Sequence, residues 1–150
     1  MQRWYLICTR PGQETQARDS LQGLGLHCFL PLMPGAQPSP EPLFPRYLFV
    51  QLEEPLMGQT WAAVRAARGV ARIVSISQEG SEISHDLVQF IRSRSLVMAG
   101  SVTAAQETPP SLRAYENLFA EMNGFRRVMA LIELLSLRAG QASRQYLLAS

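Results

Sequence analysis

Six of the ten prolines fall within one stretch, PLMPGAQPSPEPLFP, from Pro31 to Pro45. Proline has no backbone N–H to give to a sheet ladder, so this stretch must be an exposed loop or a sheet edge. Short apolar segments flank it, LHCFLPL before and RYLFVQL after, and both read as strands. The second is entered through EPLFPRYLFV (Glu41 to Val50), where Phe44, Tyr47 and Phe49 crowd together and Arg46 interrupts the apolar run. Such a segment is either an ordinary core strand or a docking face for a large partner.

The other elements follow from local signals. RWYLICT (Arg3 to Thr9) reads as a buried first strand. In RPGQETQARDSLQGLGL, Pro11 suits a first helical turn, Ala17, Leu21 and Leu24 share one face, and Gly25 is a candidate C-cap. LMGQTWAAVRAA reads as a helix with Trp61, Val64 and Ala67 or Arg68 near one face, and RGVARIVSI turns through Gly69 into a fourth strand. Ser84 is the expected N-cap of a helix carrying Leu87, Val88 and Ile91. The order β-α-β-β-α-β-α predicts an α+β fold, one mainly antiparallel sheet with helices against it. After Arg94 the pattern dissolves, so residues 1–94 form the expected first domain, 95–111 a linker and 112–150 a second unit. Within 112–150, Leu112, Tyr115, Leu118, Phe119 and Met122 fit one helix, and Phe125, Val128, Leu131, Ile132 and Leu135 fit another. RVMALIELLSLR also reads as strand, and Asn123-Gly124 is a strong hairpin signal, so a helical hairpin and a small β-barrel both stay open.

Chemistry is hard to find. No Walker loop, nucleophile elbow or H-E-x-x-H is present, and Gly23 and Gly25 lack the third glycine of a dinucleotide loop. Adjacent Glu53 and Glu54 would point to opposite faces of a strand and make no acid–base couple. Cys8, Cys28, His27 and His85 lack zinc-ligand spacing, so no metal and no cofactor are expected. An enzyme is not expected. All 14 basic residues are arginine and the net charge is only +2. Local arginine contacts to phosphates or bases therefore remain open without a global field. The absence of a long apolar run or a signal-like start predicts a cytoplasmic protein with no membrane segment.

WYLICTRPGQE, EPLFPRYLFV and RAARGVARIV occur in the order and rough spacing of the N-terminal domain of the NusG family of transcription elongation factors. The sequence resembles that family over about residues 1–94, most closely its specialised RfaH branch, and NLFAEMNGFRRVMALIELLSLR looks like that branch's tail. The resemblance implies that Phe44, Pro45, Tyr47 and Phe49, with Ile76, Val88 and Ile91, receive the clamp coiled coil of the RNA polymerase β′ subunit. It implies contacts from Arg10, Gln13 and Arg68 to non-template single-stranded DNA. Pro11, Gln16 and Ser20 stand where RfaH has basic or imidazole side chains, and Thr60, Trp61 and Ala62 replace the branch's gate-loop contact. The same resemblance implies a C-terminal α-helical hairpin that covers the polymerase face, rather than a KOW-like barrel. Glu41 and Arg127 would lock it with an ion pair, and the released tail would contact the small ribosomal subunit. A monomer is expected. The residues alone leave open a second class, a small ferredoxin-like interaction or RNA-binding module without polymerase contact.

Overall fold

The computed structural model describes residues 2–34, 40–53, 58–74, 82–98, 110–121 and 123–149. Strand β1 (Gln2–Thr9) is central to a five-stranded sheet. It pairs on one side with β5 (Tyr47–Glu53), which pairs in turn with β2 (His27–Phe29). On its other side lie β6 (Val70–Ile73) and β7 (Glu82–Ile83). Every pairing is antiparallel, as the sequence predicts. The proline-rich stretch departs from a plain loop. Its ends form a separate two-stranded ladder, β3 (Leu32–Met33) against β4 (Glu41–Pro42), where Pro42 occupies an edge.

Helix α1 (Glu14–Gly23) begins later than Pro11 suggests. The Pro11-Gly12 pair makes a turn closed by the Gln13 N–H donating to the Arg10 carbonyl at 3.0 Å, with Gly12 at φ 72°. The helix ends in a Schellman arrangement. Gly25, at φ 84°, donates to Gln22, and Leu26 donates to Leu21. Helix α2 (Gly58–Ala66) leads through Gly69 into β6. Gly69 has φ 89°, and a Cβ there would stand 2.8 Å from the Ala17 nitrogen, so this turn admits only glycine. Helix α3 (His85–Met98) is capped as expected, the Leu87 N–H donating to Ser84 Oγ at 3.1 Å.

Period-two alternation assigns the sheet's two faces. Tyr5 and Ile7 of β1, with Leu48, Val50 and Leu52 of β5, pack against Ala17 and Leu21 of α1 and Val64 of α2. Trp4, Leu6, Cys8 and Phe49 point the other way, into a cluster with Leu87, Val88, Phe90 and Ile91 of α3.

That second cluster is completed by the C-terminal region. A 3₁₀ segment (Pro110–Glu116), helix α4 (Asn117–Ala120) and helix α5 (Gly124–Ala149) follow the described part of α3. The tail is therefore helical, and Asn123-Gly124 serves as a helix start. Asn123 Oδ1 accepts from the Arg126 N–H at 3.2 Å, an N-cap in place of a hairpin turn. The linker boundary expected at Arg94 is not a break, because α3 runs on to Met98 and buries Ser95. Ser95 Oγ donates to the Ile91 carbonyl at 2.8 Å, which lets a polar residue continue the helix under cover.

Candidate functional site

The surface singled out by EPLFPRYLFV is largely interior in the intact chain. Phe44, Phe49, Val88 and Ile91 are all 0 % exposed, whereas Pro45 and Tyr47 are half-buried. Ile76 lies outside the described residues. Phe44 meets Phe49 edge-on at 6.4 Å between centroids, and Phe49 stacks on Phe29 at 6.0 Å. Arg92 covers the outer ring, its guanidinium 4.8 Å from the Phe29 centroid. These rings share one continuous cluster with Leu112, Tyr115, Leu118, Val128, Leu131 and Leu135 of the C-terminal helices. Isolated helices this short are marginal in water, so α4 and the 3₁₀ segment owe their order to this packing.

Specific contacts tie the tail down. Phe119 meets Phe90 edge-on at 5.8 Å. Glu116 pairs with Arg94 at 2.6 Å, and the Arg94 guanidinium also lies 5.5 Å from the Phe90 centroid. A Cβ at Gly124 would stand 2.7 Å from Pro45 Cγ, so α5 starts directly against the predicted polymerase-binding proline.

The predicted lock differs from expectation. Arg127 is 3 % exposed, and its Nε donates to the Leu43 carbonyl at 2.7 Å while a terminal nitrogen donates to the Glu121 carbonyl at 2.7 Å. Glu41 is exposed and closes no ion pair with Arg127. Burial lowers the Arg127 pKa, and the charges of Glu41 and then Glu121 oppose that shift. The physical reason is geometric competition. Two main-chain acceptors already hold the planar fork, so the Glu41 carboxylate acts through space.

Phe125 is a second departure, 71 % exposed although its spacing placed it with the buried residues. The buried stripe of α5 is centred between Arg127, Leu131, Val128 and Leu135, and at 3.6 residues per turn Phe125 lies about a third of a turn away. Met122 lies outside the described residues.

The three predicted DNA-contacting residues are brought together. Arg10 and Arg68 are exposed and Gln13 half-buried at the N-cap of α1. The Arg10 N–H donates to the Gly69 carbonyl at 2.8 Å, joining the start of α1 to the turn that carries Arg68. Trp61 sits elsewhere. It packs edge-on against Tyr5 at 5.1 Å, on the face closed by α1 and α2.

Sequence reading gave no sign of the unusual backbone of Arg46. Its φ of 72° places it in the left-handed region, a cost of about 1–3 kcal/mol for a residue of this kind. Three bonds hold it there. Its N–H donates to Glu14 Oε1 at 3.0 Å, its Nε to the Thr9 carbonyl at 3.2 Å, and its carbonyl accepts from the Thr9 N–H at 2.7 Å. No residue-type signal foretells this, since arginine has no preference for positive φ.

The environment of Cys28 keeps its thiol protonated. Burial pushes the Cys28 thiol up to about 11, against a smaller opposing effect of Arg18. Among the described residues no three His, Cys, Asp or Glu side chains group to hold a metal ion. Nor is any helix among them long and apolar enough to cross a membrane.

Residues 2–92 match the family model for the transcription termination factor NusG. The chain belongs to the NusG family. It is accordingly a transcription-factor relative and not an enzyme. Among solved structures, a study of domain interaction in Thermotoga maritima NusG describes a chain that is 22% identical, with a TM-score of 0.49. That match covers 73% of this chain and 64% of the Thermotoga chain.

Proposed function

We propose that this NusG-family chain is an RfaH-like elongation and antitermination factor of the cytoplasm, held in a masked state by its own C-terminal helices. The observation that carries the proposal is the shared cluster. Phe44, Phe49, Val88 and Ile91 are buried together with Leu112, Tyr115, Leu118, Val128, Leu131 and Leu135, and Pro45 abuts the start of α5. In this reading the N-terminal domain grips the clamp coiled coil of the polymerase β′ subunit through the surface now under the tail. Aromatic anchors of that kind concentrate binding free energy. Arg10, Gln13 and Arg68 meet the non-template strand, and the bound factor suppresses pausing and termination. Release of the tail frees residues 110–149 for another partner, the small ribosomal subunit, and the factor acts as a monomer.

Immobilised RNA polymerase tests the reading on the intact chain. Arg127→Met should be retained more strongly than the parent, and adding the half-buried Tyr47→Ala should remove that gain. If neither the parent nor Arg127→Met is retained, the polymerase reading fails.

A further inference from the structure

Two more arginines lie beside Arg10, Gln13 and Arg68. Arg46 is bonded to Thr9 from both its main chain and its Nε, which sets it next to Arg10. Arg72 faces Cys8 across the β1–β6 ladder, and Cys8 faces Tyr47 across the β1–β5 ladder, so these three residues form one row over the sheet. Both guanidinium charges reach the Tyr47 phenol. Among the described residues, the terminal nitrogens of Arg10, Arg46, Arg68 and Arg72 meet no carboxylate and no carbonyl. Glu14, the acid at this corner, has its carboxylate engaged by the Arg46 amide.

The backbone of Arg46 is the second observation. It is the one non-glycine residue at positive φ among those described, at a turn where glycine or asparagine would sit with less strain. A long cationic side chain kept in such a conformation, with its outer nitrogens uncommitted, points to a use outside the chain. Guanidinium groups with uncommitted outer nitrogens beside a half-exposed ring are suited to the sugar-phosphate backbone of a single strand.

We propose that Arg46 and Arg72 are phosphate-contacting residues that extend a single-stranded DNA path from Arg68 and Arg10 along the end of the sheet, ending beside the clamp-binding Tyr47. The inference rests on the nucleic-acid half of the function proposed above. The strand is held by charge along its backbone, so the contact is independent of base sequence and sensitive to salt.

The test is fluorescence anisotropy of the intact chain with labelled single strands of mixed sequence, about a dozen nucleotides long, within the range one such groove can span. DNA and RNA strands are measured over a series of salt concentrations. Arg46→Gly and Arg72→Gln should each weaken DNA binding several-fold at low salt and reduce the slope of log K against log salt by about 0.7, the value for one phosphate of a single strand. Arg46→Gly should also keep or raise the thermal midpoint, because glycine relieves the strained turn. If Arg10→Gln and Arg68→Gln weaken binding while Arg46→Gly and Arg72→Gln do not, the extended path is overturned and the original contacts stand. If the parent chain binds no strand, or none of the four variants changes binding, both readings fall. A loss confined to the RNA strand overturns the assignment to DNA. A lower midpoint for Arg46→Gly with undiminished binding makes Arg46 a structural residue.

Discussion

The two faces of the central sheet are closed in different ways. Under α1 and α2, the buried cluster draws on residues from Tyr5 to Val70 alone. The opposite cluster begins at Trp4 and does not end until Leu135, and its outer wall is made by helices from the far end of the chain. The first face is a core without which the sheet has nothing to fold against. The second is a core on the α3 side and an interface on the tail side. The α1–α2 face contains no residue of the tail, so truncations on the two faces are expected to differ in how far their effects spread.

Matched truncations on the two faces offer the largest test. Leu21→Ala should lower global stability by about 2–5 kcal/mol in urea unfolding, with exchange rising throughout the sheet. Leu131→Ala removes a side chain of equal size that is also fully buried. Its effect should concentrate in the tail, with amide exchange in α5 accelerated while β1 and β5 stay protected. Equal acceleration in both places would mean that the two faces form one cooperative unit.

An intermediate effect is expected from Arg127→Met. It keeps much of the apolar stem but strips the hydrogen bonds from the carbonyls of Leu43 and Glu121. Unsatisfied buried acceptors cost about 1–3 kcal/mol, read as a lower midpoint for the tail's exchange transition. Glu41→Ser probes the weaker, through-space part of the same latch and should move that transition by less than Arg127→Met does.

The smallest effect belongs to Arg94→Gln. Its ion pair with Glu116 is partly exposed, at 28% and 42% side-chain accessibility, and such pairs contribute about 0–1 kcal/mol. The shift should shrink as salt is raised. A loss as large as that of Arg127→Met would place the main tie of the tail at α3 rather than at Leu43.

The N-terminal sheet was legible because its signals are local. Alternation along RWYLICT separates Trp4, Leu6 and Cys8 from Tyr5 and Ile7, and the structure puts them on opposite faces. Ser84 caps α3, and Gly25 ends α1, through hydrogen bonds that need only their own neighbours. The tail was different. RVMALIELLSLR suits either period, and it is helical where it meets a surface far away along the chain, such as the Leu43 carbonyl, 84 residues before the Arg127 that takes it. Phe125 was misplaced for the same reason, since the buried stripe is set by what α5 meets and not by the spacing of its own apolar residues. Arg46 was illegible because its strained backbone is imposed by Thr9 and Glu14 from outside the turn.

The acceptors that Arg127 finds are main-chain oxygens, at Leu43 and at Glu121. An amide carbonyl is present whatever residue carries it, so the receiving half of this clasp is invisible to single-residue replacement. Heritable adjustment of this particular clasp therefore acts through its donor, the side chain at position 127.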